Sequence, residues 1–212
     1  MKAPCPFSGP RPYHHGDLRR ALLDAATRIL DRDGQGGLSL RAVAREAGVS
    51  PAAPYHHFKD KSELMLAIAE EGFHQLSDYI RHTTDMAVPP IERVAAIGLG
   101  YVEFAKTHPA VYRVMYDCSR DSDAMPDKAH EAEDGAYSLL KRAMIDMGVA
   151  SPDQETELEL ACIAAWCAAH GLAEMVGFRQ FDSLKATMGG EKAFLAGVLS
   201  HLGMFGQARS RA

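Results

Sequence analysis

The stretch Ser39–Lys61, SLRAVAREAGVSPAAPYHHFKDK, decides how this chain is read. Leu40, Val43 and Ala44 recur at helical spacing behind Ser39, whose side chain is of the kind that caps a helix start by accepting a backbone N–H. The helix they predict stops at Ala47-Gly48-Val49. A small residue, a glycine and an apolar residue make the tight joint of a helix-turn-helix: Ala47 lets two helices cross closely and Val49 plugs the turn. Ser50 then caps a third, very short helix ending near Phe58, with Pro54 at its fourth position, where a missing N–H forfeits only the first helical bond. Such a helix offers its first residues, Pro51, Ala52 and Ala53, to base edges in a DNA major groove. Those side chains make no hydrogen bonds, which limits their direct readout to contacts such as thymine methyl groups.

Outward from this segment the helical period continues, and no stretch alternates for long as a strand would. Upstream, Leu18, Leu22, Ala25 and Ile29 mark a helix capped by Asp17 and stopped at Gly34. The first sixteen residues hold four prolines and two glycines and read as a flexible arm. Downstream, Asp60 and Glu63 form a capping-box-like pair before a long helix with Leu64, Ile68 and Leu76 on one face. Pro89-Pro90, Pro109 and Pro126 separate three more helices; Gly148 and Pro152 introduce one of some 25 residues ending at Gly177. Gly189-Gly190 precedes a last helix striped by Phe194, Val198, Leu202 and Phe205. The expectation is an all-α protein of about nine helices: an arm over 1–16, a helix-turn-helix domain over 17–61 and a helical body over 62–212.

At 212 residues and 47% hydrophobic content, the chain can bury enough apolar surface to fold. Its longest unbroken apolar run, around Ala161–Ala169, is about half of the ~20 residues a bilayer needs, and the N-terminus lacks the apolar core of a secretory signal. The reading is cytoplasmic, with no membrane. Cys5, Cys118, Cys162 and Cys167 are too scattered for a metal or redox motif, so free thiols are expected, with a redox role for Cys118 the minor alternative. The net charge of -5 conceals a split. Residues 1–61 hold ten Lys/Arg against six Asp/Glu, a net +4, and the remainder is net -9. A basic head on an acidic body implies that the head alone meets a polyanion.

The segments YHHGDLRRALLDAATRIL, SLRAVAREAGVS and YHHFKDKSEL, spanning Tyr13 to Leu76, closely resemble the DNA-binding head of the TetR/AcrR family of bacterial transcriptional regulators. Further on, Ala165-Trp166-Cys167-Ala168-Ala169-His170-Gly171-Leu172 looks like the Trp…His-Gly signature of one C-terminal subgroup. The resemblance implies that Tyr55, His57 and Lys61 hold phosphates of double-stranded DNA. Chemistry adds Arg41, which can reach a guanine edge or a phosphate, and Ser39 and Ser50, where helix starts present backbone amides. The family further implies a homodimer with recognition helices about 34–36 Å apart reading an inverted repeat. It also implies a small-molecule effector that moves the long fourth helix and releases the DNA, the behaviour of a repressor.

In the body, Tyr101, Phe104, Tyr112, Met115, Tyr116, Met144, Trp166 and His170 are candidate pocket residues for a hydrophobic effector, with ordinary core packing as the plain alternative. The alanines around Trp166 thin that helix for a seam between two copies. Phe58 reads as core, and Tyr55 as either core or contact. His56-His57 point about 100° apart on a helix and suit no shared metal, His14-His15 read as solvated, and Asp121-Ser-Asp123 lacks the rest of a calcium loop. No nucleophile with its base, phosphate loop or paired carboxylates is apparent, so neither an enzyme nor a cofactor is expected. Two other readings stay open: an effector-independent DNA-binding protein of the same fold, and an enzyme or plain interaction module whose helix-turn-helix is only structural.

Overall fold

The computed structural model describes residues 15–85, 87–121, 135–150 and 154–207. Most of the N-terminal arm, with Cys5 and His14, lies outside them, as do Asp123, Pro126 and the side chains of His15, Asp17, Asp121, Leu202 and Phe205. Every regular element among the described residues is helical: α1 (His15–Gly37), α2 (Leu40–Glu46), a 3-10 turn (Ala53–His56), α3 (Lys61–Thr83), α4 (Pro90–Thr107), α5 (Pro109–Asp121), α6 (Ala136–Asp146), α7 (Glu155–Met175), a second 3-10 turn (Arg179–Phe181), α8 (Asp182–Thr187) and α9 (Glu191–Gln207). The protein is all-α. The chain divides into two compact units, Met1–Ala67 and Ile68–Ala212.

In the first unit, Leu22, Ala25, Ala26 and Ile29 of α1 meet Leu40, Val43 and Ala44 of α2, all nearly inaccessible to water. Fully burying each of the larger side chains is worth roughly 1.5–3 kcal/mol. Ser39 caps α2 as expected, its Oγ accepting from Ala42 N at 3.1 Å. The end of α2 is closed by Gly48 N–H to the Arg45 carbonyl and Val49 N–H to the Ala44 carbonyl, the paired bonds of a Schellman motif. Gly48 sits at φ +69°, a conformation that side chains resist. Two ion pairs brace α1 against α2: Arg28 and Arg32 both reach Glu46 at 3.2 Å. Those hydrogen bonds hold the Glu46 carboxyl below its ordinary range.

The third helix differs from expectation. Ser50 does not cap an α-helix; the chain instead makes a single 3-10 turn over Ala53–His56. Pro54 is the physical reason, because it has no N–H to return to the Ser50 carbonyl, and that carbonyl accepts Ala53 N instead. Tyr55 N to Ala52 O and His57 N to Pro54 O continue the three-residue spacing. The buried Pro54 ring and Phe58, 1% exposed, seat the turn on the core. α3 then starts with the anticipated exchange of caps: Glu63 N donates to Asp60 Oδ1 at 2.9 Å, and Glu63 Oε2 accepts from Lys59 N at 2.6 Å.

In the second unit, α4 is central and packs against α5, α6, α7 and α9. Gly72 lets α5 approach α3 closely, since a Cβ there would lie 2.7 Å from Met115 Cγ and 2.8 Å from Val111 Cγ1. The Ser77 hydroxyl bridges the same region, donating to Phe73 O and accepting from Ala136 N at the start of α6. α7 is 21 residues and ends at Met175, short of the expected Gly177. The second 3-10 turn and α8 were not anticipated; Lys185, which donates to Val176 O and pairs with Glu191, ties α8 to its neighbours. On α9 the buried stripe is Phe194, Leu195 and Leu199, and Val198 is instead exposed.

Replacing Gly48 by Ala meets no steric obstacle, because nothing lies within 4 Å of the added Cβ. The cost is therefore conformational alone, and Gly48→Ala is expected to destabilise the first unit by about 1 kcal/mol. Asn, which tolerates the left-handed region, is expected to recover part of that loss. Hydrogen exchange of the α2 amides reads both variants; equal protection in all three proteins would contradict the assignment.

Candidate functional site

The residues expected to meet DNA are distributed around the turn. Ser39 and Arg41 open α2, Ser50, Pro51 and Ala52 follow Gly48, and all five are exposed. Ala53 and His57 are half-buried. Tyr55 is 53% exposed, which decides between its two readings: the ring is presented to solvent and is not core. Phe58 beside it is core, with the Arg19 guanidinium 5.6 Å above its ring. Lys61 is exposed, and its Nζ donates to the Gln35 carbonyl at 2.7 Å near the end of α1. That bond anchors the lysine and leaves two further N–H donors on it. Arg45, in the last turn of α2 and exposed, is a cation that the motif reading passed over. Its signal was only its position, one turn beyond Arg41. Arg28 and Arg32, by contrast, are committed to Glu46.

The candidate pocket residues of the body assemble in part. Tyr101 is 2% exposed on α4, and its hydroxyl lies 2.5 Å from Tyr116 Oη, 3.4 Å from Tyr112 Oη and 3.0 Å from His170 Nδ1. Tyr112 Oη is 2.7 Å from the same nitrogen. Trp166 packs edge-on to Tyr101 at 5.1 Å between ring centroids. Three helices, α4, α5 and α7, thus bring three phenols, an imidazole and an indole to one place. Burial pushes the Tyr112 hydroxyl up to about 12 and raises those of Tyr101 and Tyr116 further, so all three stay protonated. The cluster is closed: the void it shares with α9 is about 20 Å3, room for no more than a water.

Phe104 stacks on His108 at 4.6 Å and meets Tyr79 edge-on. Met115 packs over Gly72, and Met144 is buried on α6. Cys162 is fully buried, and burial raises its thiol to about 11; Cys118 is half-buried and Cys167 exposed. The sequence reading also missed a group of arginines, Arg81, Arg93 and Arg142, which three separate helices bring to one cleft. No spacing in the chain links them.

The outer face of α7 carries Leu160, Ile163 and Met175, each 41–55% exposed. By length and composition this helix is apolar enough to cross a membrane, yet only 22% of its most apolar stretch is buried within the chain.

Comparison with known proteins gives these features a family. The profile described as "Bacterial regulatory proteins, tetR family" matches residues 22–68, and that described as "Tetracyclin repressor-like, C-terminal domain" matches 94–197. The second description does not name the narrower Trp…His-Gly subgroup. A relative from Brucella canis, HTH-type transcriptional regulator BetI, is 33% identical over 108 residues, which is 50% of this chain and 54% of the relative. The chain thus spans about half the length of such relatives. Among solved structures, a protein of unknown function from Rhodococcus sp. RHA1 is 30% identical, covering 94% of this chain and 98% of that one at a TM-score of 0.69. A TetR transcriptional regulator from Streptomyces coelicolor shares the fold, at 22% identity, 87% and 98% coverage and a TM-score of 0.65.

Because Tyr101 is the hub of the buried polar cluster, Tyr101→Phe is expected to lower the stability of the body by about 1–2 kcal/mol, through lost hydrogen bonds and a partner left unsatisfied. Tyr55→Phe, at an exposed ring, is expected to leave it unchanged. Urea denaturation followed by Trp166 emission measures both, and equal midpoints for the two variants would contradict the role of Tyr101.

Proposed function

This chain belongs to the TetR family of bacterial transcriptional regulators, and we propose that it acts as a cytoplasmic, ligand-responsive repressor that binds an inverted-repeat operator as a homodimer. The observation that carries the reading is the exposed set around the turn. Arg41, Arg45, Tyr55 and Lys61 are exposed around a 3-10 turn whose Pro54, with Phe58 just after it, is buried. Cations and a phenol arranged on a rigid support are suited to phosphate oxygens, which supply most of the affinity for DNA. Arg41 is the one side chain opening α2 that can make a bidentate contact with guanine. The small residues Pro51, Ala52 and Ala53 let the turn approach the groove floor without adding hydrogen bonds, so much of the specificity would come from Arg41 and from DNA shape.

Two copies are supported by the exposed apolar face of α7 together with Val198 of α9, a surface that a second chain would remove from water. α3 begins in the first unit at Lys61 and ends in the second at Thr83, so a ligand that shifts it in the body has a covalent path to the head. The dense Tyr/His core favours the alternative, an effector-independent DNA-binding protein. The arginine cleft favours a ligand.

Lys61→Ala is expected to weaken binding to any duplex and to flatten the slope of log affinity against log salt by about 0.9 per half-site. Tyr55→Phe is expected to cost roughly 2–10-fold in affinity, the loss of one hydrogen bond. Fluorescence anisotropy at two salt concentrations, with circular dichroism as a control for folding, measures both. Unchanged affinity in folded variants would contradict the proposed interface.

A further inference from the structure

A cleft in the body, separate from the tyrosine cluster and from the exposed face of α7, opens between the end of α3, the start of α4 and α6, and encloses about 470 Å3. Its polar walls are Arg81, Thr84, Arg93, Arg142 and Asp146. Three arginines and one aspartate line it, with Arg81 paired to Asp78 and Arg93 to Asp146. Arg93, with a side chain only 13% exposed, gives one nitrogen to Asp146 Oδ2 at 2.7 Å. Its Nε is buried and has no hydrogen-bond partner among the described residues. Thr84 is 6% exposed, and its Oγ1 is likewise buried and without a partner among the described residues. Two such donors beside one cleft are rare in a folded protein, and an acceptor that reaches them as the covering side chains shift would complete them. A planar anion suits them, because an arginine offers Nε and a terminal nitrogen as a fork that matches a carboxylate.

The rest of the cleft is apolar. Ile80, Ile97, Leu139 and Ile145 complete its walls, and Ile80 and Ile97 also line the small void that reaches Tyr101, Trp166 and Leu199. An apolar body anchored at the arginines would therefore lie along the two isoleucines toward Trp166. At about 20 Å3 that void is too small to accept it as it stands, so entry requires the side chains around it to repack.

We propose that this cleft binds an amphipathic organic carboxylate, its head group on Arg93 Nε and Thr84 Oγ1 and its apolar body directed along Ile80 and Ile97 toward Trp166. The site stands on its own geometry; its role as the effector site rests on the function proposed above. A charged head on an apolar tail also refines the expectation of a hydrophobic effector.

Trp166 is the single tryptophan of the chain and lines the inner void, so its emission reports on the site directly. The full-length protein is titrated with octanoate, with octanol (a tail without the charge) and with acetate (the charge without a tail), first without DNA and then on its operator. Octanoate is expected to change Trp166 emission saturably, at concentrations at least tenfold below those at which octanol or acetate acts. Arg93→Met is expected to weaken octanoate at least tenfold and Thr84→Val several-fold, with the far-ultraviolet circular dichroism spectrum unchanged. No saturable response, equal binding of octanol, or undiminished binding in both variants would overturn the site, even in a protein that binds DNA normally. Saturable binding that leaves the operator complex intact would overturn the effector role, and failure to bind any duplex would overturn the regulator reading, while the titration without DNA still decides the site.

Discussion

After α2 the chain reverses through two backbone hydrogen bonds, Gly48 N–H to the Arg45 carbonyl and Val49 N–H to the Ala44 carbonyl, and both require Gly48 at a positive φ. The position of every residue proposed to touch DNA beyond α2 follows from that reversal. It releases the chain at Ser50, close enough to the core for the Pro54 ring and Phe58 to be buried within ten residues of the turn. Those two anchors leave Tyr55 between them with its ring in solvent. They also bring Asp60 to the start of α3, where Glu63 closes the cap and Lys61 reaches back to the Gln35 carbonyl. The exposed surface proposed to face DNA rests on apolar contacts one layer beneath.

The body solves a different problem. Its central helix α4 carries Tyr101 where a hydrophobic residue would be simpler, and burying a phenol is costly unless its hydroxyl is bonded. The cost is met by a local network in which Tyr112, Tyr116 and His170 each take part. Such a network ties α4, α5 and α7 into one unit, since shifting any of them strands a buried polar group. The cleft between α3, α4 and α6 has the reverse character: Thr84 Oγ1 and Arg93 Nε are buried without partners among the described residues. One region is satisfied and resists change. The other is unsatisfied, and a bound anion would lower its energy.

Much of the first unit was legible because its signals are local. The Ser39 cap, the Gly48 turn and the Asp60–Glu63 pair each act across three or four residues, and each is where the residues placed it. The third helix was misread at Pro54, where one missing N–H shifts the hydrogen bonds from four-residue to three-residue spacing. α8 went unseen because Asp182–Thr187 has little apolar periodicity and is held by Lys185 on Val176 and Glu191, contacts that sequence spacing does not encode. The tyrosines were named as aromatic residues of the middle helices and His170 from its place beside Trp166, but the meeting of Tyr101 and Tyr112 on His170 Nδ1 depends on how three helices pack. Arg81, Arg93 and Arg142 were not named at all, since nothing joins them short of the folded chain.

The central claim is that this head, on a paired body, reads a specific duplex. Selection of bound sites from random double-stranded DNA by the full-length protein tests it most directly. The expected result is one enriched inverted repeat, with half-sites centred about one helical turn or somewhat more apart. Recovery of unenriched sequence, bound equally well whatever its order, would contradict it.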